Sequence, residues 1–237
     1  MSEAVKRLIV LAAGRGERMG ELTKNTPKPL VQVHGIPIVK PLLDAAVAAG
    51  IPELILVRGY LGEQFDSLLK EYPTLRLVDN TDYDQANNLG SVMAVRQYLS
   101  NAYIAEGDLL LYRPELIRRE EENSNYLARY AEYTDDWCFR VEEGSRNIQS
   151  IQVGGKNCYH MYGISYWSEE DGKRLARRVE DAYNGEQGKT MYWDEVALKY
   201  YKEEFNVQVR PCQEKDIVEI DTYEEWKALE MQEENRI

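Results

Sequence analysis

Positive charge, histidine and cysteine are all scarce in this 237-residue chain. With 29 Lys/Arg against 41 Asp/Glu the net charge is -12, which excludes a general nucleic-acid binder, since that role needs basic surface. The two histidines, His34 and His160, are far apart in sequence and are expected to be structural. Three cysteines, Cys138, Cys158 and Cys212, have no metal-ligand spacing and leave one unpaired. Reduced thiols in a cytoplasmic protein are the expectation. No apolar run reaches membrane-spanning length. The opening MSEAVKR runs straight into an apolar stretch, so no secretory signal is expected. Internal repeats, linkers and low-complexity tracts are absent, and the length suits one domain over 1–237.

What is present is concentrated near the N-terminus, between Val5 and Gly35. Leu8 to Ala12 reads as a buried parallel strand. Ala13-Gly14-Arg15-Gly16 follows, a turn small enough for successive backbone N–H groups to approach an anion. Arg15 and Arg18 add guanidinium forks suited to phosphate oxygens. Lys28, stiffened between Pro27 and Pro29, reads as a phosphate clamp. The glycine spacing is neither the dinucleotide G-x-G-x-x-G nor a P-loop, and taken singly each piece is also an ordinary turn or surface loop. Residues 1–40 carry about +4, leaving about -16 on the rest. A locally basic turn in an acidic protein suits a small polyanion.

Further on, the pattern alternates. Helices are expected over Pro37 to Gly50, Leu61 to Tyr72 (Phe65, Leu68 and Leu69 on one face) and Leu89 to Leu99. Strands are expected at Glu53 to Val57, Leu75 to Val78 and Tyr103 to Glu106. This alternation argues an α/β fold, a mostly parallel Rossmann-like sheet with helices on both faces. In such sheets ligands sit beyond the carboxyl ends of the strands, where the Gly14 turn and Asp108 can meet although 94 residues apart. Arg118 to Asn123 reads as the solvated end of a helix. From Tyr126 the texture becomes antiparallel: strands at Trp137 to Val141, Ile148 to Val153 and Cys158 to Trp167, with turns at Glu143-Gly144-Ser145 and Gly154-Gly155-Lys156. Helices are expected at Ser168 to Tyr183, Met191 to Tyr201 and from Thr222 onward, and short strands at Val207 to Val209 and Ile217 to Ile220.

Asp108, after Gly107 at a strand end, and the pair Glu219 and Asp221 are candidate metal carboxylates. On a strand, residues two apart project together. Each is alternatively a turn, cap or solvated residue.

L-A-A-G-x-G-x-R-M followed by T-P-K-P-L resembles the signature of nucleotidyltransferases that activate sugars and alcohol phosphates with an NTP. Leu11, Ala12, Ala13, Gly14, Gly16, Arg18, Met19, Thr26, Pro27, Lys28, Pro29 and Leu30 supply it. The resemblance implies the nucleotide-diphospho-sugar transferase fold, with an E-G-D and a late E-x-D holding Mg²⁺; here these supply Asp108, Glu219 and Asp221. The segments Gly59 to Phe65, Asn87 to Val92, Glu106 to Leu109, Ser165 to Asp171, Met191 to Asp194 and Glu219 to Asp221 are similar to the bacterial CTP:phosphocholine cytidylyltransferases. That narrower likeness implies CTP and phosphocholine as substrates, CDP-choline and pyrophosphate as products. It implies nucleotide contacts from Leu11 to Gly16 and from Asn87, Asn88 and Ser91, with Lys28, Arg18 and Asp108 catalytic.

The 17 tyrosines and the aromatic clustering in the second half fit an ammonium site, since each ring face attracts a cation by about 0.5–2 kcal/mol. Such residues are also ordinary strand formers that fill cores. The resemblance points to Trp137, Tyr192 and Trp193 as cage, with Asp194 beside them, within a substrate-binding portion spanning about 126–205. A primary ammonium wants hydrogen-bond acceptors instead, so 2-aminoethylphosphonate is a rival acceptor. Sugar-1-phosphate transfer is a further alternative, and a non-catalytic nucleotide-binding regulator another. No sequence feature specifies an oligomeric state.

Overall fold

A computed structural model describes residues 2–232. Its frame is a seven-stranded sheet. In chain order the elements are β1 (Arg7–Ala12), α1 (Lys40–Ala48), β2 (Glu53–Arg58), β3 (Leu75–Asp79), α2 (Leu89–Ala94), β4 (Ala102–Glu106), β5 (Leu109–Leu111), β6 (Asn125–Val141), β7 (Ile148–Trp167), α3 (Glu169–Tyr183), β8 (Gln208–Pro211), β9 (Ile217–Glu219) and α4 (Tyr223–Glu230). The sheet order is β8-β6-β7-β4-β1-β2-β3. β1 pairs in parallel with both β2 and β4, β2 with β3, and β6 with β8; β7 runs antiparallel to its two neighbours.

Alternation along the central strands divides the core. Leu8, Val10, Leu54, Leu56 and Ala105 pack on one face with Leu42, Leu43 and Ala46 of α1. Ile9, Leu11, Ile55, Val57 and Ile104 pack on the other with Val92 of α2 and Leu175 and Val179 of α3. Burial on both faces explains why these strands are nearly continuous apolar runs. The helix caps follow the sequence. Ser168 Oγ accepts from Asp171 N at 3.2 Å, and Thr222 with Glu225 closes a capping box at the start of α4.

Several expectations are corrected. The stretch Gly62–Lys70 winds as a 3₁₀ helix, and Leu69 is exposed while Phe65 and Leu68 are buried. The helix expected to Leu99 stops at Ala94, with a 3₁₀ turn at Arg96–Tyr98. Met191 to Tyr201 contains only the short helix Trp193–Glu195 and a π turn over Val196–Tyr200. Gly154-Gly155-Lys156 is no hairpin turn: β7 runs through it, and the positive φ of Gly154 absorbs a register shift between Thr134 and Trp137 of β6.

The charge-dense RREEEN segment is not a helix end. Glu120–Glu121 pairs as a short strand with Glu3–Ala4. Glu121 is buried, paired with the guanidinium of Arg210 and accepting from Tyr103 Oη at 2.5 Å. Removing one partner of such a pair strands a charge in the core. Glu121→Leu is therefore expected to lower unfolding free energy by about 3–5 kcal/mol in urea denaturation. Glu120→Gln, at an exposed position, should stay within about 0.5 kcal/mol.

Candidate active site

Strand order reverses at β1. The chain steps from β1 through β2 to β3 on one side, and β4 is laid on the other. Loops leaving β1 and β4 therefore part and open a crevice at their carboxyl ends. A cavity of about 540 Å³ lies there. Its floor is the β1 turn from Leu11 to Gly16, and Arg18, Lys28, Asp108 and Asp221 line one side. Asn87, Asn88 and Ser91 line another, and Tyr192 stands at its edge.

Two glycines make this geometry possible. At Gly16, with φ +62°, a Cβ would lie 2.9 Å from Lys28 Cβ, so the turn closes directly over the lysine. At Gly107 a Cβ would meet Leu11 O at 2.8 Å and Pro29 Cγ at 2.9 Å, while its N–H donates to Leu11 O at 2.9 Å. The β4 exit is thus pressed against the β1 exit.

The acids converge through a second, two-stranded sheet. β9 pairs antiparallel with β5, placing Glu219 opposite Leu109, and Ile220 N donates to Asp108 O at 3.1 Å. The last strand of the chain is thereby stitched beside Asp108. Carboxylate oxygens of Asp108, Glu219 and Asp221 lie within 4.8 Å of one another. Asp221 lies past the end of β9, so the turn after the strand, not simple alternation, completes the set. Lys28 Nζ donates to Asp108 Oδ2 at 2.8 Å and to Asp221 Oδ1 at 2.7 Å, and Arg18 pairs with Asp221 at 2.8 Å.

The electrostatics are those of crowded acids with too few partners. Burial pulls the Lys28 ammonium down, but Asp108 and Asp221 outweigh it and hold its pKa above the usual lysine value. Burial, then Asp108, Asp221 and Asp136, push Glu219 up to about 8. Asp108 Oδ1 is sealed from solvent and accepts no hydrogen bond among the described residues. A buried carboxylate oxygen without a donor, in a triad of acids, matches the donor set of a hard divalent cation.

The acceptor-side expectations divide. Trp137 and Tyr192 form an edge-to-face pair at 5.6 Å, with Tyr192 43% exposed. Trp193 faces away from the cavity: it is 1% exposed, stacked on Tyr126 at 6.1 Å and edge-on to Trp167 at 6.0 Å. Asp194 is also in the core, accepting from the Tyr126 hydroxyl. On a short helix the residues after Tyr192 turn inward, so neither side chain offers a wall to a ligand. The histidines lie elsewhere, His34 beside Glu230 and His160 on Thr134, and the three cysteines are free thiols.

Two cavity residues went unread in the sequence. Glu106, half-buried, accepts from Trp193 Nε1 and Asn88 Nδ2, and desolvation with Asp108 and Asp194 raises its pKa well above the usual carboxylate value. Its place in E-G-D was the available signal. Tyr83 lies against Gly59 and, with Tyr60, flanks the Arg15 guanidinium, which pairs with Asp84 at 2.6 Å. Nothing local marks that contact.

Residues 8–189 match the MobA-like NTP transferase domain. The 2-aminoethylphosphonate cytidylyltransferase of Lancefieldella rimae is 36% identical over 225 residues, covering 94% of this chain and 91% of that relative. The choline-phosphate cytidylyltransferase of Streptococcus pneumoniae is 33% identical over 225 residues, covering 94% and 96%. The solved structure of CTP:phosphocholine cytidylyltransferase from Streptococcus pneumoniae superposes with a TM-score of 0.88 at 32% identity, covering 94% of this chain and 97% of that one. No helix among the described residues is long and apolar enough to cross a membrane.

Burial raises the Asp194 carboxyl to about 6, despite the hydrogen bond from Tyr126. The folded chain therefore holds this proton more tightly than the unfolded chain, whose value is near 3.8. The resulting stability is full below the unfolded value and is lost as pH rises through about 6. Compared with Asp194→Asn, the wild type is expected to lose roughly 2 kcal/mol between about pH 4 and pH 7 in urea denaturation. Parallel pH curves for the two proteins would contradict the assignment.

Proposed function

The chain belongs to the MobA-like NTP transferase family of nucleotidyltransferases, and from that premise we propose that it is a CTP-dependent cytidylyltransferase acting on a small phosphate or phosphonate that carries an ammonium. One observation carries the reading: an anion cradle, a buried lysine, Asp108 and Asp221 line one cavity of about 540 Å³, with Glu219 converging on those two acids. Relatives named as cytidylyltransferases align over nearly the whole chain and supply the choice of nucleotide.

In the reaction a phosphate or phosphonate oxygen of the acceptor attacks the α-phosphorus of CTP. The new O–Pα bond forms as the Pα–O bond to pyrophosphate breaks. Backbone N–H groups of the Gly14–Gly16 turn cradle phosphate oxygens, and Lys28 and Arg18 offset charge on the phosphates as it shifts. Lys28 is held by Asp108 and Asp221, so it is already aimed when phosphate arrives. Asp108, Glu219 and Asp221 would hold Mg²⁺, which supplies charge neutralisation between two anionic reactants. Asn87, Asn88 and Ser91 line the nucleoside side. No covalent intermediate on the protein is needed.

The acceptor is assigned to the portion spanning about 126–205, which contributes Tyr192 and Trp137. Phosphocholine is the first reading, because these two rings offer π faces to a trimethylammonium that can donate no hydrogen bond. Two observations favour 2-aminoethylphosphonate as the second: Trp193 is withdrawn from the cage, and the relative named for that acceptor is 36% identical over 225 residues.

Pyrophosphate release with each NTP against phosphocholine, 2-aminoethylphosphonate, phosphoethanolamine and glucose-1-phosphate tests the whole reading. Turnover is expected with CTP and an ammonium-bearing acceptor only; turnover confined to glucose-1-phosphate would replace this function with sugar activation. Asp108→Asn should lower turnover by about 10²-fold or more, the scale of lost electrostatic stabilisation, with an unchanged circular dichroism spectrum. Near-wild-type turnover in that variant would refute the metal assignment.

A further inference from the structure

Asn88 lines the nucleotide cavity, yet its amide is engaged inside the protein. Asn88 Nδ2 donates to Glu106 Oε1 at 3.2 Å, and Trp193 Nε1 donates to the same oxygen at 3.1 Å. Trp193 N donates back to Asn88 Oδ1 at 3.0 Å. Three hydrogen bonds thus close a ring across three elements: the start of α2, the end of β4 and the 191–195 segment.

Each corner is immobilised by other contacts. The Trp193 indole is clamped between Tyr126 and Trp167. Glu106 lies against Gly163, where a Cβ would come within 2.6 Å of Glu106 Cγ, so β7 leaves room for it. Beside the ring, Asn87 N donates to Lys189 O at 2.8 Å, tying the same stretch before α2 to the turn Gly188–Thr190 that leads into 191–195. One residue before Trp193, Tyr192 reaches the cavity with Trp137 against it. The ring therefore fixes how far Tyr192 stands from the nucleotide-lining face of α2.

We propose that Glu106, Asn88 and Trp193 are positioning residues that set the ammonium end of the acceptor relative to the nucleotide, and so govern recognition of the acceptor. The inference rests on the cytidylyltransferase reading. None of the three need touch the acceptor; they act through Tyr192. A purely stabilising role for this ring would lower the melting temperature and leave both Michaelis constants alone.

Steady-state kinetics on Trp193→Phe separates the two roles. The phenyl ring keeps an aromatic in the clamp and removes the Nε1–H donor together with part of the indole, so some loss of melting temperature accompanies the kinetic change. The acceptor KM is expected to rise about tenfold, the scale of one or two lost buried hydrogen bonds, with the CTP KM within about twofold. Glu106→Leu removes the shared oxygen and should raise the acceptor KM by a similar factor, more than any rise in the CTP KM that follows from loosening Asn88. Glu106→Gln keeps an oxygen that can accept both N–H groups and should bring the acceptor KM back to within about threefold of wild type. An unchanged acceptor KM in both Trp193→Phe and Glu106→Leu, or an equal rise in both Michaelis constants, overturns the proposal. Should one variant fail to fold, the other decides. Wild-type protein that releases no pyrophosphate with CTP and any ammonium-bearing acceptor overturns the underlying reading and the inference together; turnover by the wild type with no KM split in the variants overturns the inference alone.

Discussion

A nearly buried ammonium held between two carboxylates is the constraint around which the rest of the centre is arranged. Lys28 reaches Asp108 from the middle of the chain and Asp221 from its end. A charge so placed is costly to desolvate unless its partners are themselves fixed. The fold fixes them by two independent devices. The topological switch at β1 and β4 brings the glycine turn beside Asp108, and the β5–β9 pairing carries Glu219 and Asp221 to the same spot. Gly16 and Gly107 are small because the backbone must close over the lysine and over Leu11. The excess acid in the cluster then appears as the upward shift of Glu219 and as a buried Asp108 oxygen with no donor.

In the proposed reaction the function divides along the cavity from that centre. It puts the phosphates at the cradle, Lys28 and Arg18, the nucleoside beside α2, and the acceptor beside Tyr192 and Trp137. Glu106 is hydrogen-bonded to both sides, and on the proposed reading it bears on acceptor choice without touching the reacting atoms. The family accommodates different acceptors on one fold, and such differences live in side chains on the acceptor side.

The parts legible in sequence were those whose signal is local. The glycine turn, Pro-flanked Lys28 and the E-G-D strand end each declare a backbone geometry within a few residues, and their order of strand and helix gives the sheet. Convergence of Asp108 with Glu219 and Asp221 could be inferred only through the family signature, because the pairing that produces it joins residues about a hundred apart. Trp193 and Asp194 were misread because an aromatic and an acid beside a cavity look the same whether they face it or the core. Their direction depends on Tyr126 and Trp167, which arrive from other strands. Glu121 was read as solvated because its partner Arg210 is 89 residues away. Likewise the two glycines inside β7 resemble a turn, whereas the pairing with β6 runs through them, with Gly154 taking a positive φ at a bulge.

The central claim is that one cavity brings a triphosphate and a divalent cation against acids from the middle and the end of the chain. The most direct measurement is anomalous diffraction from Mn²⁺ in crystals grown with CTP. The account predicts an ion coordinated by Asp108 together with Glu219 or Asp221, and phosphates against the Gly14–Gly16 turn and Lys28. An ion bound away from those carboxylates, or a triphosphate outside that turn, would contradict it.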